Sequence, residues 1–313
     1  MSTETLSYRH DAFFYAGIDE FTTRVGKFVQ DGVVGGEAVL VVVSAQKIER
    51  LRSWLGPEAA GRVEFVDMAE AGRNPARIIA LWREWVDQST GTGRALRGVG
   101  EPVYPERAFE ELMECSRHEA LLNLAFDQAE PFWLLCPYDV SVLEAAVVEE
   151  ARRNHPWWVE GGERGACAEY VEVDTAHPFA QPLPPMPVGA EVVSFAGADM
   201  RTVRELVSRH ARAAGFSSDQ EWDLVVAMNE LATNSVQHGG GTGTARVWND
   251  GARVVCEVVD AGLIDTPLIG RLPPDLSRSS GRGLWIANQL CDLVQLHSGP
   301  SGTVVRIHMR ADA

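Results

Sequence analysis

The sequence predicts an α/β protein in two parts. The first is an amino-terminal domain with a mostly parallel sheet, and the second a carboxy-terminal α/β sandwich with a mixed, largely antiparallel sheet. Three observations carry this expectation. A chain of 313 residues with 45% hydrophobic side chains is long enough for two buried cores and too long for one ordinary core. The stretch from His177 to Pro187 holds five prolines, which remove backbone donors and favour an extended, semi-rigid connection. The hydrophobic pattern also changes character across that stretch, so the domains are read as 1–176 and 190–313, with 177–189 as a proline-rich linker.

Before the linker, Ala38-Val39-Leu40-Val41-Val42-Val43 is β-branched without alternation, as expected of a strand buried on both faces. It is read as the first strand. Val63-Glu64-Phe65-Val66 and Phe132-Trp133-Leu134-Leu135-Cys136 read as further strands, while 75–88, 106–128 and 140–153 carry helical periodicity, with Pro75 and Pro105 at positions where helices begin. Strands alternating with helices predict a mostly parallel sheet. After the linker, a strand over 191–195 and a helix over 199–213 precede a second helix capped from Ser217, Ser218 or Asp219. Asn249-Asp250-Gly251 between two apolar stretches predicts a hairpin. A Gly/Pro/Ser-rich loop, a helix over 283–291 and strands over 293–297 and 303–309 complete the domain.

A net charge of −16 without a cluster of Lys or Arg lacks the footprint that a phosphate backbone requires, which argues against direct nucleic-acid binding. The amino terminus has no basic region followed by an apolar run, and the longest strongly apolar run is too short for a bilayer, so a cytoplasmic protein without membrane insertion is expected. Cys115, Cys136, Cys167, Cys256 and Cys291 include no Cys-x-x-Cys pair, which argues for buried free thiols rather than a disulfide framework or a structural zinc site. The Trp82/Trp85 and Trp157/Trp158 pairs read as packing residues.

On the helix after Asp219, Trp222, Val226, Glu230, Asn234 and His238 recur every four residues and share one face. Two readings fit: a core face running into a polar pocket, or a helix whose end emerges into water. A Gly-rich turn, 238–243, follows, then Asp260-Ala261-Gly262 at a strand end and Gly281-Arg282-Gly283-Leu284 at a helix start. Glycines before a helix let backbone N–H groups approach a phosphate, whose charge the helix amino terminus favours. Each motif alone is weak; their order is specific.

That order resembles the GHKL ATPase superfamily, and within it the anti-sigma-factor serine kinases. The segment Glu230 to Gly239 resembles its asparagine-bearing helix motif, Asp260-Ala261-Gly262 and Gly281-Arg282-Gly283-Leu284 its two glycine motifs, and Gly302-Thr303 the threonine motif of the last strand. The resemblance implies ATP and Mg²⁺ as cofactors. It makes Asn234 the metal ligand, Asp260 the acceptor for the adenine amine, and Glu230 the general base. Gly281 and Gly283 would let the lid helix start against the phosphates, Gly262 and Arg282 would belong to the ATP site, and Thr303 would support the adenine end through water. A second glycine expected two residues after Gly262 is replaced by Ile264.

In the first half, His10 to Tyr15, Gly35-Gly36-Glu37, Gly72 to Arg77, His118 to Asn123 and Cys136 to Asp139 resemble the MEDS (DcmR-type) sensory domain, related to RecA/KaiC-like ATPases. The lysine-bearing phosphate loop is missing after Ala38–Val43, where the chain reads Ser44-Ala45-Gln46-Lys47, so a sensory ligand rather than a nucleotide is expected there. His10, Tyr15, Arg73 and His118 are the candidate contacts for an unknown small molecule.

Together these readings imply a signalling regulator whose sensory domain controls a protein serine kinase module. Its partners would be a sigma factor, an anti-sigma antagonist, or both, and nothing in the sequence excludes a homodimer. The alternatives are an ATP-dependent binding module without catalysis, and an atypical histidine kinase, for which His118-Glu119 would be the phosphoacceptor and no dimerisation hairpin is evident.

Overall fold

The structure, a computed structural model, describes residues 7–126, 131–274 and 282–312. The chain divides into two compact units after Val173.

The first unit runs β1 (Arg9–Tyr15), α1 (Gly17–Gly35), β2 (Ala38–Val43), α2 (Ala45–Ala60), β3 (Glu64–Asp67), α3 (Met68–Ala71), α4 (Ile78–Thr90), β4 (Leu96–Gly100), α5 (Phe109–Ala125), β5 (Phe132–Asp139), α6 (Ala145–Asn154), β6 (Trp157–Glu160) and β7 (Glu163–Ala166). Its sheet has the order β3-β2-β4-β5-β1-β6-β7, parallel except for the β6–β7 pair. Phe13, Tyr15, Val39, Val41, Val43 and Leu135 pack on one face with Phe21, Val25, Val29, Ile48 and Leu51 of α1 and α2. On the other face a Cβ at Gly98 or Gly100 would come within 2.9 or 3.0 Å of the Trp82 ring of α4, so these glycines admit the indole. The packing role expected of Trp82 and Trp85 follows, both being buried.

The run Ala38–Val43 is therefore the second strand. β1 carries Arg9, His10 and Asp11 where a buried strand usually carries apolar residues, and it is buried because those polar groups find partners. Asp11 accepts from Arg164 (2.9 and 3.0 Å) and from Trp133 Nε1 (3.1 Å). The helix expected from Pro105 starts instead at Phe109, and its far end at Gln128 lies outside the described residues. The helix expected from Val140 starts at Ala145, because Asp139 Oδ1 accepts from Ser141 N (3.0 Å) and holds the chain in a turn.

The second unit runs β8 (Glu191–Ala196), α7 (Met200–Ala213), α8 (Ser218–His238), β9 (Thr242–Asp250), β10 (Arg253–Asp260), α9 (Arg282–Leu290), β11 (Leu293–Gly299) and β12 (Gly302–Arg310). Ser217 caps α8, its Oγ accepting from Gln220 N at 3.2 Å while Gln220 Oε1 accepts from Ser217 N. The hairpin falls where Asn-Asp-Gly predicts it, with Gly251 at φ 61. The sheet order is β11-β12-β10-β9-β8, and where a mixed, largely antiparallel sheet was expected all the described pairings are antiparallel.

The three helices share one core with the sheet, and Phe179 from the proline-rich stretch joins that core. Phe179 O accepts from Ser298 N (2.9 Å), Gln181 O from His297 Nδ1 (3.1 Å) and Pro184 O from Arg306 Nη2 (2.6 Å). The stretch between the sequence motifs is thus pinned along the second sheet over 179–184.

Candidate functional site

Of the two readings of the α8 face through Trp222 and His238, the core face running into a pocket is not the one found. Trp222 is 66% exposed, and the helix buries Leu224, Ala227, Met228, Leu231, Ala232 and Ser235 instead. Glu230 and Asn234 lie on the flank of that stripe, half-buried, and His238 is exposed. Period four follows a helix surface only approximately, and the longer 3–4 pattern through Leu224 and Leu231 marks the true buried side.

Around Asn234 the carboxy-terminal motifs converge. A Cβ on Gly283, in the first turn of α9, would lie 2.6 Å from Asn234 Nδ2, so a side chain there would have to push the amide aside, and glycine lets the two meet as they stand. The next residue, Ser235, donates its hydroxyl to Asp260 Oδ2 at 2.5 Å, and Gly262 N donates to Oδ1 at 2.8 Å. A Cβ on Gly239 would meet Asp260 Cγ at 2.4 Å, which explains a glycine at the end of α8.

Asp260 pairs with Thr303 across β10 and β12. Thr303 is buried, its Oγ1 donates to Gly262 O (2.8 Å), and it shares a hydrogen bond with Ser298 Oγ (2.8 Å), which accepts from Ile264 N (2.7 Å). The hydroxyl therefore braces the loop after Asp260. Where a second glycine was expected, Ile264 packs against the core. Arg282 is exposed at the start of α9, and Gly281 lies outside the described residues.

These donors and acceptors suit a nucleotide with a divalent cation. An amide oxygen is a ligand for a hard cation, and a carboxylate whose oxygens each keep lone pairs can accept from an exocyclic amine. Ser235 is the contributor that sequence reasoning missed; its adjacency to Asn234 was the available signal.

The four candidate sensory residues of the first unit are not brought together. His10 and Tyr15 occupy opposite ends and opposite faces of β1. Arg73 is exposed, its carbonyl accepting from Arg107, and His118 is buried on α5.

Tyr15 belongs to a cluster at the carboxyl ends of the parallel strands. Its hydroxyl donates to Glu101 Oε1 (2.7 Å), and Lys47 Nζ donates to the Tyr15 oxygen and to both Glu101 oxygens, each at 2.6 Å. Burial and the neighbouring Glu101 push the Tyr15 phenol well up, so it remains a donor. Lys47 is thus held by an internal carboxylate. The connection after the true first strand is the single residue Ala16 before α1, so no lysine-bearing phosphate loop follows β1 either.

His10 stands with Glu119, Cys136 and His155 in a buried group, next to a cavity of about 540 Å³ lined by Tyr8, His10, Asn123, Trp133 and Arg164 among others. All five cysteines are buried, and burial pushes the Cys115 thiol up to about 12.

Fold and site define a two-domain α/β protein, with a nucleotide-type sandwich following a parallel-sheet domain. Residues 9–156 match the family model of the MEDS domain (MEthanogen/methylotroph, DcmR Sensory domain), and residues 193–309 match that of the histidine kinase-like ATPase domain. The chain is a fusion of these two domains, a combination that suggests a signalling regulator, and its ATPase-type domain implies nucleotide binding. No curated protein matches it. Among the described residues no helix is long and apolar enough to cross a membrane.

Proposed function

We propose that the chain is a ligand-regulated signalling protein whose second domain binds Mg-ATP and acts as an anti-sigma-factor-like serine kinase module. The observation that supports this best is the convergence at α8: Asn234 meets the start of α9 at Gly283, while Ser235 holds Asp260. Asp260 would read the adenine amine and Asn234 would hold the cation. Bound ATP would supply the phosphoryl group. Glu230 stands one helical turn before Asn234, on the same flank, and in this reading would accept the proton of an incoming serine hydroxyl. The partner would be a sigma factor, an antagonist of an anti-sigma factor, or both. In this reading the sensory domain changes partner binding or transfer through its differential affinity for two states.

The test is incubation of the purified full chain with labelled ATP and candidate partners. Acid-stable, alkali-labile label on a partner serine supports the kinase. Magnesium-dependent ATP binding without label leaves a nucleotide-gated binding module, and acid-labile label on this chain turns the reading to a histidine kinase.

A further inference from the structure

His10 lies near the start of β1, Cys136 in the middle of β5, Glu119 on α5, and His155 just before β6. The parallel register sets Ala12 opposite Cys136, so His10 and Cys136 are diagonal neighbours on one sheet face, the face covered by α5. All four side chains are buried, none more than 2% exposed.

One donor atom from each residue lies within 4.8 Å of the others. His10 Nε2 is 3.1 Å from Glu119 Oε2 and 3.4 Å from Cys136 Sγ, and His155 Nε2 is 3.3 Å from the same Glu119 oxygen. A tetrahedral zinc centre with nitrogen, oxygen and sulfur ligands separates its donors by about 3.3–3.6 Å, given Zn–N near 2.0–2.1 Å and Zn–S near 2.3 Å.

The outer hydrogen bonds set the tautomers. His155 Nδ1 is 2.8 Å from Ala151 O, and a carbonyl only accepts, so Nδ1 carries the hydrogen. Asn123 Nδ2 donates to two carbonyls, Asn154 O (2.9 Å) and Ala120 O (3.3 Å), which turns Asn123 Oδ1 toward His10 Nδ1 at 3.0 Å and places the hydrogen there too. Both neutral rings then present Nε2 lone pairs to a carboxylate oxygen that also only accepts. Two Nε2 atoms and a carboxylate oxygen thus face one point beside the Cys136 sulfur. The thiol proton can serve only His10 Nε2, whereas one cation ligated by all four groups serves both imidazoles and the carboxylate. Consistent with this, His155 Nε2 and Glu119 Oε1 are buried without a hydrogen-bond partner among the described residues. Imidazoles that donate Nδ1–H outward and aim Nε2 inward are the arrangement metal-binding histidines adopt.

We infer that His10, Glu119, Cys136 and His155 form a closed binding site for a borderline-soft divalent metal of the zinc class. Two imidazoles, a thiolate and a carboxylate match that class rather than Mg²⁺ or Ca²⁺, which take oxygen ligands. His10 and Asn123 also line the cavity of about 540 Å³, which supplies a route in and puts one ligand beside the space open to a small molecule. Because the four donors come from four separate elements, a search for paired cysteines does not find them, and the sequence reading that argued against a structural zinc site rested on such pairs.

The test uses the full, untagged chain, stripped with chelator, desalted and titrated with Co²⁺. One cobalt per chain is expected, with tetrahedral visible bands and a thiolate-to-cobalt band in the ultraviolet. That last band should vanish in Cys136→Ser and persist in Cys115→Ser, whose buried thiol lies outside the group. Failure to retain cobalt, or an unchanged thiolate band in Cys136→Ser, overturns the site. If Cys136→Ser does not fold, X-ray absorption at the zinc edge of the reloaded parent chain decides. One sulfur among nitrogen and oxygen neighbours sustains the assignment, and a shell without sulfur, or with more than one, overturns it.

Discussion

The Ser235 hydroxyl donates to Asp260 Oδ2 at 2.5 Å, so the helix that bears Asn234 also orients the carboxylate at the end of β10. A carboxylate already aimed by a hydroxyl and by Gly262 N–H loses little freedom when it accepts a further donor, which favours selective binding of an amine. Asp260→Ala is expected to weaken ATP and ADP alike by about 1–3 kcal/mol, with Ser235→Ala losing less. Calorimetry with ADP checks both, and unchanged affinity in Asp260→Ala would remove the adenine assignment.

If Asn234 holds the cation and Glu230 takes the proton, as proposed, the two roles should separate by mutation. Asn234→Ala is expected to lose the benefit of Mg²⁺ for ATP binding, whereas Glu230→Gln should keep Mg-ATP affinity and slow phosphotransfer by about 10²–10⁴-fold. The measurements are ATP titrations with and without Mg²⁺ and single-turnover transfer. Parent-rate transfer by Glu230→Gln contradicts the base role.

At Gly283 a methyl group would meet Asn234 Nδ2 at 2.6 Å. Gly283→Ala should therefore displace either α9 or the amide, costing about 1–3 kcal/mol of stability as overpacking does. It should also reduce nucleotide affinity. Chemical denaturation and ATP titration of the same sample check it; an alanine variant with parent stability and affinity would show that the two helices do not meet as described.

The proline-rich stretch anchors the second unit through Phe179, which is 2% exposed in its core. Phe179→Ala is expected to cost about 3–5 kcal/mol. By the same reasoning, a fragment beginning at Asp174 should fold and bind ATP, while one beginning at Pro187 should melt at markedly lower temperature. Equal melting temperatures for the two fragments would show that the anchor contributes nothing.

A pH dependence follows from His308, buried on β12 beside Gln295. Burial first, then the positive charges of Arg253 and Arg306, lower its pKa from 6.5 to about 3. The folded state therefore binds fewer protons than the unfolded chain between those values, and stability present above pH 6.5 is lost as pH falls toward about 3. Urea midpoints at several pH values should show a shallower acid limb for His308→Gln than for the parent, and identical slopes would contradict the assignment.

Much of the second unit was legible because local rules govern it. Ser217 and Gln220 form a capping box, Asn-Asp-Gly closes a hairpin, and Glu230, Asn234, Asp260 and Gly283 stand in a fixed order along the chain. The first unit was less legible. β1 begins Arg-His-Asp and is buried only because Arg164 and Trp133, far along the chain, satisfy Asp11. β4 reads Leu-Arg-Gly-Val-Gly because Trp82 needs the space above its glycines.

The sequence by itself determined the two-domain organisation and the alternation of strands and helices, since these rest on composition, periodicity and residues close in the chain, and it carried the ordered motifs on which the resemblance to the ATPase superfamily rests. Tertiary structure alone decided that residues 179–184 lie on the second sheet, and that His10, Glu119, Cys136 and His155 meet. The last of these depends on pairings between residues more than a hundred positions apart, His10 with Glu119 and with Cys136, and local propensity carries no information about which distant partner a buried polar group will find.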